Sequence, residues 1–520
     1  MMLENFSTES KKLWRDKNKL HEAADVIQKL QLTAQELPSG STAEFNEAKR
    51  RIDSKYSEVE SALIEEFVKS HRSNDKSRMR DLALILSGFK SYNACVDAFI
   101  EQQVQLKTQS HKSGNIFKEA VPLCENSWKV IDAVFPNPQQ VMAKVVLNIY
   151  HSRLKEHISI KLSPENSPEQ KLVNLNELYS STTRLTAELS KFNLGSDHLF
   201  LANLTKTIFR GYLENYINDE MRFLNERCTL ILQRYYEKKG HQKKTIRGGA
   251  AAFQGIKRDL QGKIAGMTNV NIETVSYGGE TFLSSEDVAV NILQLTKEAF
   301  RRCQTLSNSK DIAPNAVEIF SILISYLLHQ HVDYALELGL SGIPLAECKI
   351  IPELFFFDVV GQTNAIIHLL DKQFSDSLLP LVASTPKHAD CLSKKKKELE
   401  KIEQKIDAGI DRSLSALVGW VKTLLTSTQM KSDFNPSIPG KGMNSAPPTT
   451  STTACNKVVK FVNYQVDKIK ESLDGKNIEF VLYELGVRLH WVIYQHMQQF
   501  TYSSAGVMNV ICDVQVSAFG

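Results

Sequence analysis

Near the N-terminus, Phe6, Leu13, Leu20, Ile27 and Ala34 fall seven residues apart, and Ala23, Leu30 and Leu37 occupy a companion row. Two such rows make an apolar stripe along one helix, the seam of a coiled coil. Glu9 and Asp16 interrupt the companion row in its first turns, so the stripe is continuous only from Leu20 to Leu37. A lone helix of this length is marginal in water, and burying one leucine contributes about 1.5–3 kcal/mol, so the seam needs a second helix. Two sources fit. One is the chain's own next helix, where Phe45, Ala48, Ile52, Tyr56, Val59 and Leu63 recur at three and four, joined through a hairpin at Pro38, Ser39 and Gly40. The other is a separate polypeptide, for which Leu13, Leu20, Ala23, Ile27, Leu30 and Leu37 form the candidate partner interface.

The same helical period returns along most of the chain, in Leu82, Ile85, Leu86 and Phe89, in Val141, Val145, Ile149 and Leu154, and in Leu201, Leu204, Ile208 and Leu213. It continues in Leu293, Thr296, Ala299 and Phe300, in the long stripe from Ile402 through Ile406, Ile410, Leu414, Leu417 and Val421 to Leu424, and in Leu482, Leu485, Leu489, Val492 and His496. Alternating strand patterns are nearly absent, and Asp474-Gly475, a hairpin pair by type, lies between two helical patterns. Ser284-Ser285 ahead of Glu286 and Asp287 marks a helix start, with acids near the positive dipole end. Proline and glycine place breaks at 161–170, 240–255, 305–314, 339–344 and 431–453. The predicted fold class is all-α, helix after helix, with no strict repeat period.

A chain of 520 residues exceeds the size at which one core keeps growing, and 42% hydrophobic with 23% charged residues is the composition of a folded protein. The net charge of +4, from 63 basic and 59 acidic residues, leaves little long-range field and argues against general nucleic-acid binding. Eight cysteines are scattered without a CxxC, the usage of reduced thiols in the cytosol. No signal-peptide h-region follows Met1, and the most apolar run, Ala316 to Val332, carries Glu318, His329 and His331, which reads as a buried helix.

Catalytic patterns fail on spacing. Gly339-Leu340-Ser341-Gly342 is not a nucleophile elbow, and the glycines at 248, 249 and 255 lack the phosphate-binding lysine of a P-loop. His329 and His331, like His490 and His496, are not three or four apart, so neither pair shares a helix face for a metal. No catalytic, cofactor-binding or metal site is predicted. Lys238, Lys239, Lys243, Lys244 and Arg247 form a basic cluster that fits a solvated loop or an anionic-lipid contact worth about 1 kcal/mol per cation.

Several long segments resemble the exocyst complex component 5 family, the Sec-ten subunits of a vesicle tether: 192–217 (FNLGSDHLFLANLTKTIFRGYLENYI), 230–244 (LILQRYYEKKGHQKK), 278–303, 331–344, 356–382 and 474–503. They occur in order between Leu20 and Asp513. The resemblance implies a non-enzymatic subunit: a coiled-coil segment followed by an elongated rod of serial helical bundles of the CATCHR tethering type. It implies a complex holding secretory vesicles at the plasma membrane before SNARE-driven fusion, cytoplasmic and peripheral at both membranes. The implied partners are the Sec-fifteen subunit and small GTPases of the Rab and Arf classes. The competing function is an all-helical regulator of a small GTPase.

The expected organisation is a coiled-coil segment at 1–39, N-terminal bundles at 40–240, a basic and glycine-rich loop at 241–280, middle bundles at 281–430, a disordered Pro/Ser/Thr loop at 431–454, and a C-terminal bundle at 455–520. Against the family pattern, Met1 enters partway along the seam, and the residues after Asp513 depart from a charged helical continuation, which truncates the last bundle.

Overall fold

The computed structural model describes residues 20–36, 43–108, 115–192, 194–195, 199–239, 285–344, 351–352, 354–436, 450–473 and 475–519. Every regular element among them is helical, as the periodicity predicts. The chain forms two compact units, Met1–Tyr216 and Ile217–Gly520. Their boundary falls within one 39-residue helix.

The first unit opens on the antiparallel pair α1 (Leu20–Glu36) and α2 (Ala43–Arg72), which pack together. α1 buries Ala24, Ile27, Gln31 and Ala34, one face at three- and four-residue spacing. Gln31 Nε2 donates to Asp53 Oδ1 across the pair at 2.6 Å. α2 continues the predicted stripe through Tyr56, Val59 and Leu63 to Phe67, all buried.

α3 (Lys76–Leu86), α4 (Tyr92–Thr108) and α5 (Ile116–Val134) close a core in which Phe99 and Phe135 meet edge to face at 5.2 Å. Two of these helix starts are capped by side chains, with Asp75 and Asn115 accepting from the N–H groups of Arg78 and Phe117. α6 (Pro138–Asn148) passes through a π-helical turn at Ile149–Leu154 into α7 (Lys155–Lys161). After the predicted proline break, α8 (Pro168–Leu189) starts on the Ser167 cap. Buried Tyr150 bonds through its hydroxyl to Thr186 Oγ1 at 2.9 Å, which in turn meets Thr205 Oγ1 at 3.0 Å on α9 (Phe200–Lys238).

In the second unit, α10 (Glu286–Leu306) begins at the predicted serine cap and packs on α11 (Ile312–Leu323). A π-helical stretch, Ile324–Val332, carries α11 into α12 (Asp333–Gly342). The continuous helix Ile312–Gly342 is 31 residues long and apolar enough to cross a membrane by composition, but 56% of its most apolar window is buried inside this unit. Core burial accounts for that hydrophobicity.

α13 (Phe356–Gln373) runs through a π-helical turn, Phe374–Leu378, into α14 (Leu379–Val382). The wider turn sits just ahead of Pro380, whose ring withholds the N–H that an α-helical turn would use. α15 (Lys387–Thr428) presents the predicted stripe, with Ile402, Leu414, Leu417 and Val421 buried. It packs on α16 (Thr453–Ser472) and α17 (Gly475–Met497), and α16 also packs on α18 (Gly506–Phe519).

Of the expected loop at 431–454, residues 437–449 lie outside the described residues. Its near flank is anchored, with a 3-10 turn at Lys431–Asp433 and a fully buried Phe434. Ser503 N–H donates to the Phe434 carbonyl at 3.0 Å, and the Phe434 ring meets Phe500 edge to face at 5.2 Å. Gly506 lies against the same backbone, where any Cβ would collide with the Phe434 carbonyl. Gly475, with φ of +55°, begins α17 in the left-handed region. The expected loop at 241–280 lies outside the described residues.

Candidate functional site

The N-terminal seam divides when its residues are placed. Ile27 is 6% exposed on the face of α1 that meets α2, so the chain's own hairpin uses it. Leu30 stands outward, and Val26 and Leu32 are also exposed. Leu20 and Ala23 lie on α1 by backbone, whereas Leu13 and Leu37 lie outside the described residues. The intramolecular pairing that the sequence left open is therefore present; Val26 and Leu30, one turn apart, form an exposed strip along one edge of the buried face, and Leu32 is exposed on its other edge. In the basic cluster, Lys238 and Lys239 are exposed at the end of α9, and Lys243, Lys244 and Arg247 lie outside the described residues.

The reactive side chains are tied into the structure. Burial pushes the thiols of Cys95 and Cys228 up to about 12 and that of Cys303 to about 11, against a usual value of about 8.5. A nucleophilic thiolate needs the opposite shift. His331 is buried beside Tyr235, and its Nε2 accepts the Ser285 N–H at 3.1 Å at the start of α10. Among the described residues, no group of three or more His, Cys, Asp and Glu is arranged to hold a metal ion.

A cleft of about 290 Å³ lies between the segment Leu328–Leu340 and α15. Its charges neutralise one another: Lys405 bonds Asp333 at 2.5 Å and Glu337 at 2.8 Å, and Glu398 bonds Lys401 at 2.8 Å with His329 at 3.6 Å. Burial lowers the Lys405 pKa, but its two carboxylate bonds outweigh that and hold it above the usual lysine value. The cleft is a cross-helix ion-pair network, without a free acid, base or nucleophile set at reacting distance from another.

Sequence reading missed a second surface. α17 turns its expected stripe inward, with Leu485 and His496 buried and Leu489, Val492 and Ile493 packed beside Val421, Leu425 and Val458. The opposite face carries Phe480 (64% exposed), Tyr483 (72%), Val487, Trp491 (58%) and Tyr494. Trp491 and Tyr494 stack with centroids 6.2 Å apart, and His490 stacks on Tyr494 at 6.4 Å. The available signal was the all-round apolarity of 478–497, which a surface helix with one buried face does not require.

With these surfaces placed, similarity to known proteins becomes informative. The family described as Exocyst complex component Sec10-like, alpha-helical bundle, matches residues 22–516. The Drosophila melanogaster protein named Exocyst complex component 5 is 44% identical over 96% of this chain and 68% of its own length. The Homo sapiens protein of that name is 45% identical over 96% of this chain and 69% of its own, and that of Caenorhabditis elegans is 38% identical over 96% and 73%.

Proposed function

The chain belongs to the exocyst complex component 5 family, and from that premise we propose that it joins its partner subunits through helical seams. The family's role is vesicle tethering in exocytosis by a non-catalytic subunit in the cytoplasm, and other exocyst subunits are its partners. The observation that carries this reading is 44–45% identity across 96% of a chain whose described elements are all helical. It agrees with the chemistry: thiols raised by burial, ion pairs closed on one another, and exposed apolar strips on helices rather than a lined reaction pocket.

The finer reading places the Sec-fifteen subunit against the outward strip of α1, with small GTPases of the Rab and Arf classes engaging the assembled complex at the plasma membrane and vesicle surface. Coiled-coil pairing suits selective assembly because seam length and flanking charge discriminate partners. Lys238 and Lys239 supply a membrane contact within the complex, weak by itself and strengthened by multiplicity.

The test is a binding titration of the purified chain against the purified Sec-fifteen subunit, with wild type and Leu30→Asp compared. Saturable binding weakened by the substitution supports the reading, and equal binding by both removes α1 as the contact. Acceleration of nucleotide exchange on a Rab or Arf protein by the chain alone would favour the GTPase-regulator function instead.

A further inference from the structure

The connection between α7 and α8 repeats itself: Ser163-Pro164-Glu165-Asn166 is followed at once by Ser167-Pro168-Glu169-Gln170. Of the three places in the chain where proline follows serine or threonine, two fall within this repeat, and the third is Thr385-Pro386. In the first copy, the Asn166 N–H donates to the Ser163 carbonyl at 3.2 Å and closes a turn, and the Asn166 side chain donates to the Lys161 carbonyl at 2.8 Å. In the second, Ser167 caps α8 by accepting the Gln170 N–H at 3.2 Å, with Pro168 at the first helical position. Vesicle tethering through helical seams uses neither serine.

Residues 164, 165 and 167–170 are exposed, and Ser167 holds extended backbone, φ −59° and ψ 152°, ahead of its proline. An exposed, extended serine followed by proline is what a proline-directed protein kinase reads, since the ring fixes the chain and carries no N–H to be left unpaired in the kinase's pocket. Thr385 differs: it is half-buried, and its hydroxyl donates to the Val382 carbonyl at 2.8 Å. Entry into a kinase cleft requires the first turn of α8 to fray, and the exposure of residues 168–170 means that little burial is lost when it does. A phosphate adds about −1.5 to −2 charges and three acceptor oxygens. At Ser167 these arrive at the positive end of a 22-residue helix, where negative charge is favoured.

We propose that Ser167 is a phosphorylation site for a proline-directed serine/threonine kinase, with Ser163 a second acceptor of the same kind, and that the modification turns a neutral edge of the first unit anionic without unfolding it. The transfer forms a bond between Ser167 Oγ and the γ-phosphorus of ATP and breaks the β–γ phosphoanhydride bond; ADP leaves, and the hydroxyl proton passes to the kinase's base. Over residues 161–171 the formal charge is zero, Lys161 and Lys171 against Glu165 and Glu169. Two phosphates bring it to about −3 to −4.

The experiment incubates the full chain with ATP and a purified proline-directed kinase, locates phosphate by peptide mass spectrometry, and compares wild type with Ser167→Ala and Pro168→Ala. Ser167→Ala removes the cap together with the acceptor, whereas Pro168→Ala keeps both and removes only the ring that the kinase reads. The expected result is phosphate on Ser167 of the folded wild-type chain, its loss at that position in both variants, and a phosphorylated chain that melts no lower than the unmodified one. The same peptide from chain recovered from cells under phosphatase inhibitors will carry phosphate on Ser167. Folded wild type left unlabelled at Ser167, equal labelling of Pro168→Ala, a lowered melting temperature on phosphorylation, or unmodified Ser167 in the cellular chain each overturns the proposal. None of these outcomes touches the family reading.

Discussion

Arg302 of α10 grips Glu220 of α9 with two parallel hydrogen bonds, Nε to Oε2 at 2.8 Å and the terminal nitrogen to Oε1 at 2.7 Å, and the Glu220 side chain is fully buried. A bidentate fork fixes the register of two helices in a way that leucines alone do not. Removing one partner strands a buried charge, so Arg302→Met will cost about 3–5 kcal/mol in chemical denaturation of the intact chain. A Glu220→Leu/Arg302→Met double variant will be more stable than Arg302→Met. If the double variant is instead the worse of the two, the pair contributes net stability beyond its desolvation cost.

Gly409 seats the ring of Phe356 against the backbone of α15, and a Cβ added there would overlap the ring. In an exposed helix interior, glycine to alanine gains about 1 kcal/mol. Here the Phe356 ring is buried within 2.0–2.7 Å of where that Cβ would sit, and overpacking of this kind costs about 1–3 kcal/mol. Gly409→Ala will therefore destabilise the second unit by about 1–2 kcal/mol, measured by denaturant midpoint at constant slope. A gain in stability would show that the ring relocates freely.

Ile27 and Leu30 sit one turn apart on α1, the first buried against α2 and the second exposed. Ile27→Ala will loosen the hairpin by about 2 kcal/mol, seen as roughly 30-fold faster amide exchange in α1. Leu30→Asp will leave that exchange within about threefold, because surface changes rarely exceed about 0.5 kcal/mol. Equal effects would mean that both residues serve the same interface.

How far the sequence carried can be judged from these positions. The stripe Ile402 to Leu424 and the helix start at Ser285 were legible because period and helix-start composition are local properties of the chain. The choice of partner for the α1 seam was not, since Ile27 looks the same whether α2 or a foreign helix covers it. Gly409 and Glu220 were silent because their roles depend on residues 53 and 82 positions distant. The aromatic row of α17 was overshadowed by the aliphatic row on its other side, which alone satisfied the helical period.

Acidification will weaken the fold through three histidines. Burial holds His71 and His496 below the ordinary histidine value, and burial with the nearby Lys161 does the same to His157. Their folded pKa values lie below the unfolded value of about 6.5, so their contribution is full above that pH and is lost as pH falls through the folded values. Asp513 has the opposite sign: burial raises its carboxyl, against hydrogen bonds from Thr452 and Cys455, so its contribution is present below its unfolded value and is lost as pH rises through the folded one. Replacement of the histidines by glutamine isolates their term. The melting temperature of the triple variant will fall less than that of wild type between about pH 7 and pH 5, and an equal fall would assign the dependence to other groups.

The central claim is that this chain works by binding other exocyst subunits and not by turnover. Its most direct test is replacement of the resident subunit in cells by this chain, counting vesicles docked at the plasma membrane together with the exocyst subunits recovered on it. The account predicts recovery of the other subunits and restored docking, both diminished by Leu30→Asp. Restored docking with no exocyst subunit bound to the chain would contradict it.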